Sequence, residues 1–336
     1  MKRSFFRIIS LLLTLAACAT LWSCSRQKKF TDAYFDYFDS YAEITVYTDS
    51  EQQFEAYNDI FAYSINRYHQ LLDIYNEYGD TVNLCTLNRN AANEPIRVSA
   101  ELFDFLLCAK ELHTLTGGYT SITIGAVTSI WKQAITDKIL PDQQELAVTA
   151  EHTDISDLVL DEKNMTVFFN DPMLQLDAGA LAKGYVSDII VRELVGAGCN
   201  SFLINLGGTL YAHGSKSDGT SWHGGISYPE DLGLGGISLN ISENALSTSG
   251  SYYRGFEIDG ALYHHIIDPT TLAPKNTFVS VSVLCPSGAE ADALSTALFS
   301  MSIDDGRELI DSLDGAEAVW IFSDGATETT DGIKMK

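Results

Sequence analysis

Positive charge is scarce in this sequence of 336 residues, which has 21 Lys and Arg against 45 Asp and Glu and a formal net charge of −24. The composition argues against sequence-independent binding of nucleic acid, because neutralising phosphates requires clustered basic side chains. An anionic ligand would need a local device that overcomes the negative background field. A bound divalent cation or a glycine-rich turn of backbone N–H groups can provide one.

Paired cysteines and zinc-type clusters are also lacking. The six cysteines form no CxxC pair, and no group of Cys and His has the spacing of a zinc motif. Most of the cysteines after residue 25 lie in apolar segments and are expected to be small buried core residues, although disulfides remain an alternative. These cysteines are Cys85, Cys108, Cys199 and Cys285.

Internal repeats, low-complexity tracts and Pro-rich linkers are absent, so no composition shift divides the chain. Hydrophobic residues make up 46% of the sequence and aromatic residues 11%. A chain of this length and composition can bury the core of one large domain or two closely fused domains.

The N-terminal segment predicts export. Basic residues precede the apolar run 8–17, which is too short to span a membrane comfortably and is typical of a signal peptide. Cys18 and Cys24 follow, and either is a candidate for lipidation; an ordinary signal peptide is the alternative. We therefore expect a signal and lipidation region at 1–24, a tether at 25–36 that carries Lys28 and Lys29 beside anionic headgroups, and a functional domain at 37–336. The expected location is the periplasm or the outer face of the bacterial cytoplasmic membrane, held by a lipid anchor.

Strand and helix patterns are mixed along the functional domain. Alternating hydrophobic residues predict strands, Asp259-Gly260 predicts a hairpin turn, and Ser99 and Ser287 are expected to cap helices. These patterns predict an α+β or mixed α/β fold with two intimately joined halves. The expected strands are 40–47, 201–206, 279–285 and 318–322, the hairpins lie within 158–176 and 252–267, and the helices include 51–75, one after Ser99 with Leu102, Phe103, Leu106 and Leu107 inside, one after Lys183, one after Ser287 and one near 305–313.

The first candidate site segment is LDAGALAKG, residues 176–184. Asp177 ends a strand, Gly179 and Ala180 leave the backbone accessible, and Lys183 opens a helix. Exposed amides, a helix N-terminus and a lysine suit a pyrophosphate or its metal. A purely structural strand-to-helix turn explains this segment alone equally well.

Two further segments combine turns with polar side chains. Gly207 and Gly208 follow a buried strand and would allow a ligand to approach the backbone closely, although a tight turn is an equal alternative. His264 and His265 alternate along a strand, so one of them faces the ligand side. His265 could move a proton near neutral pH, or a histidine here could be merely hydrogen-bonded.

The segment ADALSTALFSM, residues 291–301, places a carboxylate on an otherwise apolar helix. Asp292 and Thr296 are four residues apart and share one helix face, with Ser295 adjacent. Such an aspartate is costly to bury unless it is paired or bound to a metal. Carboxylate and hydroxyl oxygens without Cys or His favour Mg²⁺ over zinc. A solvated helix face is the alternative interpretation.

In this order the segments resemble the ApbE family, the FAD:protein FMN transferases. The similarity runs from about Tyr37 to the C-terminus, and each motif is modest alone. The matching motifs are FDS (38–40), IY at Tyr75, LN (87–88), TGGY…TIG…W (116–131), LDAGALAKGY, NLGGT (205–209), TSGSYYRGF (248–256), HIIDPTT (265–271) and ADALST (291–296).

The resemblance implies a T-fold-like core and a set of site residues. By resemblance, Asp177 and Lys183 contact FAD, and the main-chain oxygen of Ala180 joins Asp292, Thr296 and the neighbouring Ser295 in holding Mg²⁺. Asp292 and His265 are the expected catalytic residues; His265 or a nearby carboxylate would take the proton of the acceptor hydroxyl. The remaining expected contacts with the flavin nucleotide are Phe38, Tyr75, Tyr119, Thr120, Ser121, Gly207, Gly208 and Ile266.

This sequence also departs from the pattern of the family. Ser121 stands where the family often has an aspartate, and Thr270 and Leu272 replace an Arg and a Gly. Ala180 takes the place of a second glycine. These changes concern the substrate contacts, whereas the residues expected to face Mg²⁺ match the family.

The resemblance implies an Mg²⁺-dependent transferase that cleaves FAD, attaches FMN through a phosphoester to a Thr or Ser of another protein, and releases AMP. Its acceptors would carry an Asp-x-x-(Ser/Thr)-Gly-Ala-(Ser/Thr)-like motif and belong to Nqr-type or Rnf-type membrane complexes or to exported flavoproteins. Two alternatives stay open: a Mg²⁺-dependent FAD pyrophosphatase that yields FMN and AMP, and a lipid-anchored FAD-binding protein without catalysis.

Overall fold

The computed structural model of the protein describes residues 27–228, 236–252 and 254–334. The predicted signal region and both candidate lipidation sites, Cys18 and Cys24, lie outside the described residues. Within the described residues, no helix has the length and apolarity required to cross a bilayer.

The strands and helices alternate as the periodicity predicts, and the structure adds several short strands. The strands are β1 (Lys28–Tyr37), β2 (Ser40–Thr48), β3 (Ile96–Arg97), β4 (Leu158–Asp161), β5 (Thr166–Phe169), β6 (Phe202–Leu206), β7 (Thr209–His213), β8 (Trp222–Ser227), β9 (Gly236–Ile241), β10 (Asn244–Gly250), β11 (Gly255–Ile258), β12 (Ala261–His264), β13 (Ile267–Asp268), β14 (Ala273–Pro274), β15 (Phe278–Cys285), β16 (Glu317–Phe322) and β17 (Thr327–Thr329). The helices are α1 (Glu51–Leu72), α2 (Leu84–Asn90), α3 (Ala100–Leu115), α4 (Gly125–Asp137), α5 (Gln143–Ala150), α6 (Ala182–Gly196), α7 (Gly288–Ser300) and α8 (Ile303–Asp311).

The central element is an eight-stranded antiparallel sheet in the order β1-β2-β6-β7-β10-β15-β16-β17. Neighbouring residues on one strand enter different cores: Ala245 belongs to the main cluster and Leu246 to a second one. Because successive side chains of a strand point to opposite faces, both faces of the sheet are covered. Helices cover one face, and the β8–β9 hairpin with Trp222 and Leu239 covers the other.

Side-chain caps start several helices where the sequence predicts them. The Ser99 side chain accepts a hydrogen bond from the Leu102 amide, and the Ser287 side chain accepts one from the Glu290 amide. The Asp259-Gly260 turn joins β11 to β12 as expected. Together with the sheet, these elements confirm the predicted mixed α and β class.

Some details differ from the expectations. The predicted tether at 25–36 overlaps β1, which pairs with β2 along its length, so the folded body already begins at Lys28. Helix α2 lies in a stretch for which the sequence patterns predict no helix, and Leu107 is 38% exposed although its spacing predicts the inner face of α3. The four cysteines in the described part of the chain are free thiols; Cys108 is half-buried and the other three are buried.

Candidate active site

Helix α6 begins without a cap from its own sequence. Leu181 occupies its N-cap position and makes no side-chain hydrogen bond there. The Gly184 amide instead donates to Oδ2 of Asp292, on α7, over 2.9 Å. The positive end of a helix dipole and this buried carboxylate stabilise each other. Asp292 therefore caps a helix to which it does not belong.

Asp292 also connects this helix pair to the central sheet. The Ser247 hydroxyl on β10 donates to Oδ1 over 2.9 Å, and the Lys183 ammonium lies 3.8 Å from Oδ2. The Thr209 hydroxyl, at the start of β7, lies 3.5 Å from Oδ1. Asp292 is only 4% exposed, so these partners replace the water that its charge has lost.

Glycine allows the two helices to approach this closely. A Cβ atom on Gly184 would lie 2.1 Å from the Gly288 carbonyl oxygen, and one on Gly288 would lie 2.0 Å from Oγ of Ser187. Real Cβ atoms do not tolerate such contacts, so both positions require glycine. The second glycine of the LDAGALAKG segment, Gly184, is therefore explained by packing of α6 on α7.

Hydroxyl groups surround the predicted metal-binding face of α7. Oγ of Ser249 on β10 lies 3.0 Å from Oγ of Ser295 and 3.2 Å from Oγ1 of Thr296. The Thr120 hydroxyl donates to the Ala293 carbonyl over 2.7 Å, which ties the loop before α4 to α7. The structure thus brings Asp292, Ser295 and Thr296 together, with Ala180 two residues before the start of α6.

The donor set fits a hard cation. The described residues contain no group of three His, Cys, Asp or Glu side chains that could hold a metal, so the protein would contribute one carboxylate together with hydroxyl and carbonyl oxygens. Mg²⁺ in nucleotide enzymes commonly binds one or two carboxylates and completes its shell with water and substrate phosphates. The residues present therefore fit Mg²⁺ and do not fit zinc.

The glycine turn between β6 and β7 lies against the same lysine. Gly207 has φ +56°, and a Cβ atom there would lie 2.6 Å from Oγ of Ser40 and 3.3 Å from Cδ of Lys183. Gly208 has φ +99° and open space around its missing Cβ. Gly207 therefore serves packing, while Gly208 leaves the backbone open to a ligand.

The adjacent histidines have different environments. His264 is fully buried: the Ile266 amide donates to its Nδ1, and its Nε2 lies 3.3 Å from the Lys275 carbonyl. Burial lowers the pKa of His264 to about 4. It is the hydrogen-bonded structural histidine of the two, and Ile266 is buried beside it, at 7% exposure.

His265 faces a cleft in which basic groups collect. Solvent reaches its ring, yet surrounding protein partly desolvates it and lowers its pKa to about 4, with further lowering by the positive charges of Arg254, Lys183 and Lys132. Its Nδ1 lies 3.3 Å from the Arg254 carbonyl, an acceptor that assigns the proton to Nδ1 and leaves Nε2 free. The Arg254 guanidinium donates to the Asp39 carbonyl over 3.0 Å.

Asp177 and Tyr75 are joined by a residue that the sequence analysis missed. The Lys132 ammonium donates to Oδ2 of Asp177 over 2.8 Å and to the Tyr75 hydroxyl over 2.9 Å. Thr128 also donates to Oδ2 over 2.8 Å, and the Gly179 amide donates to Oδ1 over 2.9 Å. Burial opposes ionisation of Asp177, but the Lys132 charge and these donors outweigh it and lower its pKa.

The sequence does contain a pattern that indicates a role for Lys132. Thr128 and Lys132 are four residues apart on α4, whose inner face is otherwise apolar, so their polar ends share one side of the helix.

The LN motif also gains a physical role. Oδ1 of Asn88 accepts from the Leu176 amide over 2.7 Å, and Nδ2 donates to the Leu176 carbonyl over 3.0 Å, which fixes the backbone just before Asp177.

The other predicted flavin contacts are spread around this cleft. Phe38 packs edge-on against His69, and Tyr75 is 57% exposed. Tyr119 and Ser121 are half-buried, and the Ser121 hydroxyl lies 2.8 Å from that of Thr123. The roles of these residues in binding stay predictions.

The family model described as ApbE family matches residues 38–320. The FAD:protein FMN transferase of Treponema pallidum is 32% identical over 269 residues, covering 76% of this chain and 74% of that protein. The FAD:protein FMN transferase of Vibrio cholerae is 31% identical and covers 78% and 77%. Among solved structures, the ApbE protein of Thermotoga maritima superposes with a TM-score of 0.78 at 25% identity, covering 90% of this chain and 97% of that one. The flavinyl transferase ApbE of Pseudomonas stutzeri has the same fold, with a TM-score of 0.78 at 22% identity and coverage of 91% and 95%.

Proposed function

The chain belongs to the ApbE family and is a transferase, and from this premise we propose that it uses Mg²⁺ to cleave FAD and attach FMN to a partner protein. The acceptor is the hydroxyl of a Thr or Ser, and AMP leaves. The names of the relatives support FAD and a protein acceptor as the two substrates. Mg²⁺, the acceptor motif and the membrane anchor belong to the proposal itself.

The observation that carries this proposal is the junction of α6, α7 and β10 around Asp292. A carboxylate, several hydroxyls, a helix N-terminus and Lys183 meet there, while the charges of Arg254 and Lys132 reach the same cleft. A protein with a net charge of −24 needs such a local group of cations and amides to attract a dinucleotide diphosphate.

The residues that would hold Mg²⁺ are Asp292, Thr296, Ser295 and the Ala180 carbonyl. Bound there together with the diphosphate, the cation would supply charge stabilisation to the phosphoryl oxygens. Asp292 keeps its orientation through the Gly184 amide and the Ser247 hydroxyl, whichever ligand is present. Lys183, at the start of α6, adds a positive charge beside the same carboxylate.

In the transfer, the acceptor hydroxyl oxygen forms a bond to the FMN phosphorus, and the bond from that phosphorus to the bridging oxygen of the AMP group breaks. The hydroxyl proton must leave. His265 is neutral at neutral pH and has Nε2 free, so it is the proposed acceptor of this proton. An anionic diphosphate beside His265 would also raise its pKa towards the neutral range and make it a stronger base.

The proposed partners are proteins that carry the Asp-x-x-(Ser/Thr)-Gly-Ala-(Ser/Thr)-like motif, in Nqr-type or Rnf-type complexes or among exported flavoproteins. The proposed location is the outer side of a bacterial cytoplasmic membrane, with a lipid anchor at Cys18 or Cys24. An exported enzyme and exported acceptors would meet in the same compartment.

The test uses the full chain in detergent with FAD, Mg²⁺ and a peptide that carries the acceptor motif. The expected result is a peptide whose mass has increased by one FMN phosphoester, with release of an equal amount of AMP. Chelating the metal, or replacing the acceptor hydroxyl residue of the peptide with Ala, should remove the product. Free FMN and AMP without a modified peptide would instead identify a pyrophosphatase, and persistent intact FAD would exclude both activities.

A further inference from the structure

Asp188, on α6, contacts the N-terminus of α7 with both carboxylate oxygens. The Gly288 amide donates to Oδ1 over 2.6 Å, and the Ala289 amide donates to Oδ2 over 3.0 Å. The Ser287 hydroxyl also donates to Oδ2 over 2.8 Å. No residue of this set belongs to the cleft residues predicted from the sequence.

The contact mirrors the one made by Asp292. Asp292 of α7 accepts from the first turn of α6, and Asp188 of α6 accepts from the first turn of α7. Gly184 and Gly288 touch between these two carboxylates. Each helix therefore caps the other, and we name these four residues, Gly184, Asp188, Gly288 and Asp292, the helix clasp.

The start of α7 does not rest on Asp188 alone. Ser287 already accepts a hydrogen bond from the Glu290 amide, which is an ordinary local cap for this helix. Asp188 adds bonds that run between helices, and burial raises its pKa because the charged form loses water there. A buried carboxylate from a neighbouring helix that pairs with two further amides of this N-terminus points to control of the orientation of α7 on α6.

The orientation matters because three site residues project from α7. Asp292 lies one turn beyond the Asp188 contacts, and Ser295 and Thr296 lie one turn further along the same helix. A small rotation of α7 about the Gly184–Gly288 contact would move all three oxygens relative to Lys183 and Ser249. Partners that orient metal ligands from outside typically change metal affinity or activity 10–100-fold when removed.

We propose that Asp188 is a positioning residue for the transfer reaction, holding the N-terminus of α7 so that Asp292, Ser295 and Thr296 face the diphosphate and its metal. This inference rests on the proposed function. It predicts that Asp188 controls the Mg²⁺ requirement and the turnover rate but not the affinity for FAD at Tyr75, a predicted flavin contact that is bonded to Lys132 on α4.

The test compares Asp188→Ala with Asp142→Ala. Asp142 is a matched control because its carboxylate caps α5 by accepting from the Gln144 and Glu145 amides, away from the clasp. In Asp188→Ala, the Mg²⁺ concentration at half-maximal FAD cleavage should rise 10–100-fold while the KM for FAD changes less than about threefold. Asp142→Ala should leave both values unchanged. Should the alanine variant not fold, Asp188→Asn keeps the side-chain size and one acceptor and is expected to show a smaller shift in the same direction.

A readout without turnover separates this proposal from the proposed function. Hydrogen exchange of the Gly184 amide, which bonds Asp292 and not Asp188, should accelerate at least about tenfold in Asp188→Ala because the clasp is shared. An unchanged Gly184 exchange rate, or equal Mg²⁺ shifts in the two alanine variants, would overturn the positioning role. If wild-type protein cleaves no FAD, the proposed function falls while the exchange result still decides whether Asp188 orders the clasp.

Discussion

The two sides of the site differ in how they are held. On one side, the helix clasp and its neighbours on β10 are buried and joined by backbone amides, carboxylates and hydroxyls from three elements. On the other side, which we name the rim and define as Tyr75, Lys132 and Asp177, one flexible ammonium makes the connection. Lys132 keeps 43% of its side chain exposed, so water competes for its bonds.

This difference indicates a division of roles. Charge development at a phosphorus atom is best stabilised by groups that are already in place, and the clasp provides such groups. A rim held by a lysine and an exposed tyrosine can adjust to a planar ring, at the cost of weaker individual contacts. Substitutions should therefore affect catalysis and stability at the clasp and binding at the rim.

The largest effect is expected for Asp292→Ala, which removes the only carboxylate of the predicted metal site and leaves the Gly184 amide without its partner. Loss of several kcal/mol of electrostatic stabilisation corresponds to a rate of FAD cleavage reduced about a thousandfold. Steady-state release of AMP measures it. Asp305→Ala, in the exposed first turn of α8, is the control and should retain the wild-type rate. Near-normal turnover of the Asp292 variant would show that Asp292 has no role in FAD cleavage.

His265 lies between the two sides and is expected to show the next largest effect. Its pKa of about 4 keeps the imidazole unprotonated at neutral pH, so a base role is available there and is lost as the pH falls towards 4. His265→Gln should lower the rate of transfer about a hundredfold and flatten the acid side of the profile of kcat/KM against pH. His223→Gln, on the exposed face of β8, is the control. If His265→Gln leaves the pH profile of kcat/KM unchanged, a group other than His265 accepts the proton of the acceptor hydroxyl.

The third effect concerns the free energy of unfolding, which Gly184→Ala should lower. The new Cβ would collide with the Gly288 carbonyl oxygen, and overpacking of this kind should lower the free energy of unfolding by about 3 kcal/mol. Gly196 is the last residue of the same helix and has open space around it, so Gly196→Ala should be neutral or slightly stabilising. Urea unfolding of both variants measures the difference. Equal stabilities would show that α6 and α7 can move apart at the clasp without loss of stability.

The smallest effect is expected at the rim. Lys132→Met removes the charge that joins Asp177 to Tyr75 and should weaken FAD binding about tenfold, since one exposed charged contact is lost. Titration of flavin fluorescence measures this affinity, with Lys138→Met at the end of α4 as the control. Adding Asp177→Asn to Lys132→Met should cost little more, because Asp177 acts through Lys132. Additive losses would show that Asp177 contacts the ligand independently.

The sequence predicts most of the fold because local signals agree with it. Ser50, Ser99 and Ser287 cap helices at predicted starts, and Asp259-Gly260 turns a predicted hairpin. Strand β1 reads as a tether in the sequence because its side chains are largely exposed on an edge strand and show no buried alternation. Helix α2 has only seven residues, too few for a periodic pattern.

The site is predictable only in part. Asp292 stands out locally as a carboxylate on an apolar helix, and the resemblance supplies its metal role. The bonds that orient it come from residues about 45 to 108 positions away, and no local pattern relates Gly184 or Ser247 to it. Reciprocal capping by Asp188 is likewise a product of tertiary packing, because in the sequence Asp188 resembles an ordinary surface residue of a helix.

Strand β1 also sets the distance between the first described residues and the cleft. Its first residue pairs with Thr48 and its last with Ser40, which lies against the glycine turn beside Lys183, so the strand runs from the entry of the chain to the edge of the cleft. Ten residues of extended chain span roughly 30 Å. Under the proposed anchor, the chain would enter the folded body at one end of β1, and the cleft would lie at the other end of the strand.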